Sequence, residues 1–344
     1  MQKTILYLSH GGPKYHDQTR YSVLTLLALL IQHNRNDFRI AVYTDQPGRL
    51  PAHDLVRAIP IDPREFAALR GPLDYVHRIK LGILQRAVGE LGAPLIYVDS
   101  DTRWREIPDA PFAALDFPGP RASRPHLYPP PPPSSSEEAG AFERAGGTPA
   151  VPGTPPCYLY KIEGTISPAF FPQYHHLLVR KRRQLAAWQL PLDPPWTMWN
   201  SGTVGIPRQS AGFIEDVLRV NDELLPHVGY RNCIEQLALS LVAASRFDVQ
   251  PFDACLEHWW SYGWELPVLL RRFFDPLPSG LPVPEQAARA AQFRIIEDDL
   301  RTIQRRPGNR FARWRAKVRN SFYKRKIDLL AFALRRHMAA GGMD

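Results

Sequence analysis

Short apolar runs alternate with segments of helical spacing through the first hundred residues. Runs short enough for strands occupy residues 4–9, 39–44, 58–61 and 94–98. Apolar positions with the period of a helix occupy residues 21–31 and 74–91. Strands that alternate with helices predict an α/β fold with a mostly parallel central sheet flanked by helices. In such sheets, ligands bind where the carboxyl ends of the strands run into loops.

The second half of the chain begins after a segment of unusual composition. Residues 118–156 contain twelve prolines, and such a stretch cannot form a packed core, which predicts a loop. This loop is either a surface insertion or a lid over an acceptor site. Beyond it, the pattern predicts one helix, one strand and two further helices, over residues 168–190, 199–206, 211–225 and 231–245.

The last predicted element is a long helix from about residue 311, in which apolar residues form two stripes. The first stripe consists of Phe311, Trp314, Val318, Phe322, Leu329 and Phe332. The second stripe consists of Tyr323, Ile327, Leu330 and Leu334. Residues 310–336 also carry ten Lys or Arg against the single Asp328, a net charge of +9 that equals the formal charge of the whole chain.

Aromatic and aliphatic residues flanked by basic ones are typical of helices that lie on an anionic membrane surface. A helix docked on the domain with a solvated basic face gives the same pattern, so both interpretations stay open for residues 310–336. Nucleic-acid binding is disfavoured, because no recognised nucleic-acid-binding fold accompanies the basic segment.

Composition limits the class of protein. The 344 residues are 44% apolar and 22% charged, as in globular proteins. No apolar run approaches the roughly 20 residues that span a bilayer, and the N-terminal residues lack the pattern of a secretory signal. The widely spaced Cys157, Cys233 and Cys255 argue against a disulfide framework or a zinc site. We expect a cytoplasmic protein that is peripheral to the membrane if the basic helix binds lipid.

Two carboxylates directly follow the fourth predicted strand, in the segment Leu-Ile-Tyr-Val-Asp-Ser-Asp that ends at Asp101. Asp99 and Asp101 would repel each other at the edge of a sheet unless a cation or hydrogen-bond donors neutralised them. A hard divalent cation and a pyrophosphate could share these oxygens, although a turn or a helix cap is the alternative. Phosphatases of the haloacid-dehalogenase type also carry Asp-x-Asp after a strand, but they need Thr or Val where this chain has Arg103.

An ordered set of motifs between about residues 3 and 262 resembles the GT-A class of nucleotide-sugar glycosyltransferases. It consists of the strand with Asp99 and Asp101, a preceding helix, and three later segments. The preceding helix contains Tyr-Val-His-Arg-Ile-Lys-Leu at 75–81. The later segments are Trp-Asn-Ser-Gly-Thr at 199–203, Glu-Gln at 235–236 and His-Trp-Trp at 258–260. The resemblance implies a GT-A, Rossmann-like fold and transfer of a sugar from a nucleotide-diphosphate donor to a glycan or lipid-linked acceptor.

The same resemblance implies roles for individual residues. Asp99 and Asp101 would hold Mn²⁺ or Mg²⁺ on the donor diphosphate, and His258 would complete the metal sphere. The donor-binding residues would be Ser9, His10, Gly11, Asp45, Arg78, Lys80 and Ser100. Arg78 and Lys80 are two apart on a helix and point to different faces, so at most one of them is expected to reach the phosphates.

Catalytic positions follow less directly. The Asn200 amide suits recognition of sugar hydroxyls. An inverting reaction needs a carboxylate base, for which Glu235 and then Glu257 are the candidates. No His-x-x-Gly-x-x-Lys signature follows His258, so retaining and inverting chemistry both stay open.

The expected organisation is a catalytic domain over 1–300 and a basic helical tail over 301–344. The domain would comprise a donor half at 1–117, the proline-rich insertion at 118–156 and an acceptor half at 157–300. Two other functions stay open, namely a nucleotidyltransferase of related fold and a non-catalytic nucleotide-sugar-binding protein. The first would require a Gly-rich, basic loop after the first strand, which His-Gly-Gly-Pro-Lys at 10–14 matches in part.

Overall fold

The structure of the chain, a computed structural model, describes residues 2–116, 154–228 and 233–340. Its strands are β1 (Lys3–Ser9), β2 (Phe38–Thr44), β3 (Val56–Pro60), β4 (Leu95–Val98), β5 (Thr102–Trp104), β6 (Pro156–Leu159), β7 (Ile162–Ile166), β8 (Trp196–Trp199), β9 (Thr203–Ile206), β10 (Asp248–Pro251) and β11 (Leu256–His258). Its helices are α1 (Pro13–Gln32), α2 (Pro63–Leu69), α3 (Arg78–Leu91), α4 (Asp109–Leu115), α5 (Pro172–Arg180), α6 (Arg182–Ala187), α7 (Phe213–Val228), α8 (Ile234–Arg246), α9 (Leu266–Phe274), α10 (Val283–Gln292), α11 (Glu297–Arg305) and α12 (Pro307–Ala340).

Seven strands of the described residues form a central sheet in the order β10-β6-β9-β4-β1-β2-β3. Within this sheet, β9 runs antiparallel to its neighbours β4 and β6, and the other neighbouring pairs are parallel. Side chains alternate across it, so that Ile5 and Tyr7 of β1 join one core and Leu6 joins the other. The predicted α/β class, with a mostly parallel sheet between helices, is confirmed.

Helices cover both faces of the sheet. Helix α1 buries Leu24, Leu27 and Leu30 on one face together with residues of α9, α10 and α11. Helices α3, α7 and α8 fill the other face. Each fully buried leucine side chain contributes roughly 1.5–3 kcal/mol of transfer free energy, so these two faces hold the sheet in place.

Three loops lie together at one edge of the sheet. Strands β1 and β4 are parallel and end at Ser9 and Val98 on that edge. Strand β9 runs the opposite way, with Thr203 opposite Val98, and therefore begins where the other two end. The loops after β1, after β4 and before β9 consequently meet at this edge, although more than a hundred residues separate β4 from β9.

Two small antiparallel sheets extend the same edge. Strand β11 pairs with β5, with His258 opposite Thr102. Strand β7 pairs with β8, with Ile162 opposite Trp199 and an irregularity between Ile162 and Gly164. Neither pair was predicted, because strands of three to five residues give too short an apolar pattern to recognise.

Several predicted boundaries are wrong. Helix α1 begins at Pro13, well before residue 21, because a proline at the first helical position favours helix initiation even where the apolar spacing is weak. The helix predicted over 168–190 consists of α5 and α6, which are separated at Lys181. The segment before Arg78 is a series of turns, so α3 begins later than predicted. Most of the proline-rich segment at 118–156 lies outside the described residues.

Helix α12 confirms the predicted long basic helix. One of its two apolar stripes packs on the domain, and the other faces outward. Ile327 and Ala331 are fully buried against the domain, and Tyr323, Leu330 and Leu334 pack beside them. The first stripe faces outward, and its six members, from Phe311 to Phe332, are between 40% and 70% exposed. Within the described parts of the chain, no helix combines the length and the apolar character that crossing a membrane requires.

Candidate metal centre

Two aspartates and a histidine converge at the carboxyl edge of the sheet. Asp99 and Asp101 follow β4, and His258 ends β11, which pairs with β5 immediately beyond Asp101. His258 Nε2 lies 3.1 Å from Asp101 Oδ1 and 3.9 Å from Asp99 Oδ2. One ligand atom from each of the three residues lies within 4.8 Å of the others. The sequence motifs are thus brought together in space.

Main-chain hydrogen bonds hold the loop that carries both carboxylates. The amide of Asp99 donates to the carbonyl of Gly202 at 2.8 Å, and the amide of Trp259 donates to the carbonyl of Asp101 at 2.9 Å. The Thr102 hydroxyl donates to the Asp99 carbonyl at 2.9 Å. The carboxylates therefore project from a backbone that is fixed from β9 on one side and β11 on the other.

The imidazole of His258 packs directly over Gly202. A Cβ atom built on Gly202 would lie 2.2 Å from Cε1 and 2.4 Å from Nδ1 of His258. Real Cβ atoms do not approach other heavy atoms so closely, so only glycine fits beneath this ring. The glycine of the Trp-Asn-Ser-Gly-Thr motif thus allows a protein side chain to approach the backbone closely.

Two amides hold the turn beneath His258, and one carboxylate fixes their orientation. Asn200 Oδ1 accepts from the Gly202 amide at 2.8 Å, and Gln236 Oε1 accepts from the Ser201 amide at 3.1 Å. The amide nitrogens of Asn200 and Gln236 donate to the two oxygens of Glu163 at 2.6 and 2.8 Å. Glu163, on β7, therefore determines which way both amides point.

A largely buried lysine compensates the negative charge of the centre. Lys80 Nζ lies 3.0 and 3.1 Å from the two oxygens of Asp99 and donates to the Ser201 carbonyl at 3.0 Å. Burial alone would lower the pKa of Lys80, but the charges of Asp99, Glu235 and Asp101 outweigh it and raise this pKa. Burial likewise opposes ionisation of Asp101, yet His258 and then Lys80 keep the pKa of Asp101 below its ordinary value.

The three side chains fit a divalent cation. Two carboxylates and an imidazole are ligands that Mn²⁺ accepts, and Mg²⁺ prefers oxygen ligands. His258 is nearly fully buried, and its Nε2 faces the carboxylates. Its Nδ1 is buried without a hydrogen-bond partner among the described residues. The imidazole is thus held over Gly202, and with the proton on Nδ1 the lone pair of Nε2 can point at an ion between the carboxylates.

The loop after β1 contacts Asp45, the residue that follows β2. The Gly11 amide donates to Asp45 Oδ2 at 3.1 Å, and His16 Nε2 lies 3.2 Å from Asp45 Oδ1. The Ser9 hydroxyl is buried and bonds His16 Nδ1 at 3.0 Å. His10 stacks on Phe66 at 4.6 Å between ring centres. Asp45 and Ser9 are thus engaged with the protein itself.

The structure separates Arg78 from Lys80. Arg78 forms a two-point ion pair with Asp222 of α7, at 2.7 and 2.8 Å, and does not contact the metal centre. This agrees with their placement on different faces of α3. The Ser100 hydroxyl, between the two aspartates, lies 3.5 Å from Gln18 Oε1.

The two candidate bases lie in different surroundings. Glu235 is buried, accepts a hydrogen bond from the Tyr75 hydroxyl at 2.9 Å and acts electrostatically on Lys80. Glu257 precedes His258 on β11, but its side chain pairs with Arg105 at 2.8 Å and with Arg103 at 3.6 Å. Glu235 therefore acts on the same lysine as Asp99, whereas the side chain of Glu257 belongs to a separate ion-pair cluster.

Sequence reasoning missed His16, Glu163 and Tyr75, and gave Gln236 no role. Gln236 neighbours Glu235 in sequence, which is the only signal that could have drawn attention to it. Tyr75 begins the 75–81 motif but received no role of its own. His16 and Glu163 belong to segments without a recognisable motif, and their positions follow only from the packing of α1 and from the strand pairing.

No protein-family model and no curated protein matches the sequence. Three similar solved structures are all glycosyltransferases. Galactosyltransferase LgtC, in complex with donor and acceptor sugar analogues, shows 9% identity over 87% of this chain and 99% of that chain, with a TM-score of 0.41. Mouse xyloside xylosyltransferase 1 shows 11% identity over 73% and 85%, with a TM-score of 0.39. GlyE of Streptococcus pneumoniae TIGR4 shows 9% identity over 82% and 53%, with a TM-score of 0.35. At these values, the likeness says nothing about individual side chains.

Proposed function

We propose that the chain is a metal-dependent glycosyltransferase that moves a sugar from a nucleotide-diphosphate donor to a glycan or lipid-linked acceptor. The convergence of Asp99, Asp101 and His258 supports this proposal most strongly. The three side chains lie at the carboxyl edge of an α/β sheet, where nucleotides bind in such folds, and beside the loop that follows β1.

Asp99, Asp101 and His258 would hold Mn²⁺ or Mg²⁺. The ion, when bound, supplies a Lewis acid for the negative charge that develops on the departing nucleoside diphosphate. Lys80 keeps Asp99 oriented and places a further positive charge at the same edge. The backbone of Ser9 and Gly11 lies along the neighbouring loop, where it would meet the nucleoside.

The acceptor and the sugar would bind on the side of the centre that residues from the second half of the chain form. Asn200 and Ser201 form the turn before β9, and the charge of Glu235 helps to raise the pKa of Lys80. We assign the donor half to residues 1–117 and the acceptor half to 157–300, because the β1 loop and both aspartates come from the first and Asn200 and His258 come from the second.

Turnover of a nucleotide-sugar panel with Mn²⁺ tests the proposal. The protein should release a nucleoside diphosphate, and Asp101→Asn should abolish this release while the thermal midpoint stays near that of the wild type. Asp116→Asn, which alters an exposed surface ion pair, is the matched control and should retain activity.

Other products or no product would contradict glycosyl transfer. Release of a nucleoside monophosphate or pyrophosphate would indicate a nucleotidyltransferase. A donor-dependent rise in thermal midpoint without turnover would indicate a binding protein, and neither turnover nor a shift with any donor would remove the proposal.

The outward face of α12 supports a peripheral location on an anionic membrane. Its exposed apolar stripe is bordered by Arg315 and Arg319 on one side and by Arg310 and Lys317 on the other. Each basic residue near an anionic surface contributes about 1 kcal/mol, and the aromatic side chains can enter the headgroup region. A lipid-linked acceptor would be reached from such a position, and the expected cytoplasmic location would place the helix on the inner leaflet.

Co-sedimentation with vesicles of phosphatidylserine and phosphatidylcholine tests this location. The paired change Phe322→Ser and Leu329→Ser should weaken binding by more than tenfold, because it removes the two most exposed members of the stripe. Phe170→Ser, equally exposed but far from α12 in sequence, should have no effect. Equal binding by all of these proteins would exclude the stripe as the membrane contact.

A further inference from the structure

Helix α12 has an inward face as well as the outward face described above. Ile327 and Ala331 anchor it in the core beside α3 and α7. Near its first turns, Arg313 reaches the fully buried carboxylate of Glu265 at 3.1 Å. The tail is therefore packed on the catalytic domain along much of its length.

The inward face clamps the turn before α3 by polar contacts. The Tyr323 hydroxyl donates to the carbonyl of Asp74 and accepts from the amide of Val76 at 3.1 Å. Lys326 pairs with the Asp74 carboxylate. Asp74 has a φ of +53°, a left-handed conformation that favours glycine, so the chain holds a conformation here that needs such external support.

Tyr75 lies between these contacts and connects them to Glu235, in the first turn of α8. Tyr75 is fully buried, and its hydroxyl donates to Glu235 Oε2 at 2.9 Å. Glu235 is itself buried on the first turn of α8, next to Gln236, which holds the turn under His258. A continuous series of contacts thus leads from Tyr323 through Asp74 and Tyr75 to Glu235. Its neighbour Gln236 holds the turn under His258.

We propose that Tyr323 and Lys326 are positioning residues for the metal centre, so that the docked tail is part of the catalytic apparatus as well as its link to a membrane. The inference deepens the proposed function and depends on it. Without the clamp, the 74–76 turn would relax, Tyr75 would leave Glu235, and the first turn of α8, which carries Gln236, would lose a support. A tail that served as a membrane anchor alone would have no such effect in the absence of lipid.

Mn²⁺ binding by the full chain, measured by electron paramagnetic resonance without donor, acceptor or lipid, tests the inference. Tyr323→Phe keeps the ring and removes the clamping hydroxyl, and we expect it to weaken Mn²⁺ binding by about tenfold, the lower end of the loss for residues that orient metal ligands. Tyr75→Phe should cause a similar loss. Because both act through one series of contacts, the double variant should lose no more than the worse single variant. Ser321→Ala, which changes an exposed residue of α12 two positions before Tyr323, should bind Mn²⁺ as the wild type does.

Hydrogen exchange of the metal-free protein gives a second readout. In Tyr323→Phe, the amides of Val76 and Asp99 should exchange faster, while those of the central strand β2 stay protected. Wild-type Mn²⁺ affinity and unchanged exchange at Asp99 in Tyr323→Phe would overturn the inference and leave the proposed function intact. Additive losses in the double variant would also overturn it. A wild-type chain that binds no Mn²⁺ would overturn both.

Discussion

The ammonium group of Lys80 contacts both carboxylate oxygens of Asp99, at 3.0 and 3.1 Å, from a side chain that is only 11% exposed. In this position, the lysine offsets part of the repulsion among Asp99, Asp101 and Glu235. A bound divalent cation would offset the same repulsion, so the lysine and the ion stabilise the centre by the same electrostatic means.

Lys80→Met should therefore destabilise the metal-free protein more than the metal-bound one. Breaking a buried ion pair from one side costs about 3–5 kcal/mol, because the partner charge is left unpaired. We expect the unfolding free energy to fall by that order and the rise in thermal midpoint on adding Mn²⁺ to exceed the wild-type rise. Lys317→Met, at an exposed position on α12, is the control. An Mn²⁺-induced shift equal to that of the wild type would show that Lys80 and the ion act independently.

Gly202→Ala should displace the imidazole of His258. The φ of Gly202 is not left-handed, so the backbone accepts alanine, and the outcome depends on the overlap of the added methyl group with the ring, at 2.2 Å, and with Asn200 Oδ1, at 2.9 Å. Loss of a correctly placed ligand should weaken Mn²⁺ binding by about 10–100-fold. Gly89→Ala is the matched control, because nothing lies within 4 Å of its added methyl group and alanine favours its helix by up to about 1 kcal/mol. Unchanged Mn²⁺ binding in Gly202→Ala would mean that His258 is not a ligand.

Glu163→Gln should disturb the turn beneath His258 although it changes neither the size nor the shape of the side chain. An amide can accept from only one of the two amide nitrogens that now face the carboxylate, so either Asn200 or Gln236 must rotate or lose a partner. Leaving one buried polar group unpaired costs about 1–3 kcal/mol of unfolding free energy. Urea denaturation measures this cost, and Glu223→Gln, which removes the same charge at a weaker contact with Gln184, should cost less. Equal costs would argue against an orienting role for Glu163.

Acid stability should depend on the ion-pair cluster at the N-terminal edge of the sheet. Arg35, and then Lys3, lower the pKa of Asp109 from its ordinary 3.8 to about 2, and Arg35 also lowers the pKa of Asp37. A carboxylate whose pKa is lowered by folding contributes stability above its ordinary pKa, and this contribution disappears as the pH falls from about 4 to about 2. Arg35→Met should therefore unfold at a higher pH during acid titration, followed by circular dichroism.

The difference in stability between this variant and the wild type should shrink as the pH falls below about 2, because Asp109 then becomes protonated in the folded state as well. Arg64→Met, at an exposed position of α2, should titrate as the wild type does. If the difference in stability between Arg35→Met and the wild type were the same at all pH values, the effect of Arg35 would be due to packing and not to its ion pairs.

The sequence predicted which carboxylates lie at the carboxyl edge of the sheet, but not how the side chains around them pack against one another. Asp99 and Asp101 were found because a buried strand directly before two carboxylates is a local pattern. The contact between Gly202 and His258 joins two strands that are unrelated in sequence, and its spacing depends on the register of β9 and β11. The amides held by Glu163 follow from the pairing of β7 with β8, which their short apolar patterns do not reveal.

The sequence also did not reveal which face of α12 packs on the domain. Both stripes were visible as apolar positions with helical spacing, but spacing alone does not say which one packs on the domain. The structure buries Ile327 and exposes Leu329, two residues later, because the domain surface beside α3 and α7 accepts one stripe and leaves the other outside. Helices α9, α10 and α11 were not predicted, since they are short and separated by prolines and turns.

The antiparallel placement of β9 bears on how the chain folds during its synthesis. A ribosome releases β1 to β4 long before β9, so for that interval β4 exposes a free edge whose residues are apolar on both faces. The nascent chain cannot close that edge until residue 206 has emerged, and it cannot bring His258 to Asp101 until β11 has followed. Slowing translation between β4 and β9 should prolong the vulnerable interval and lower the yield of native protein, and a chaperone that shields strand edges should restore it.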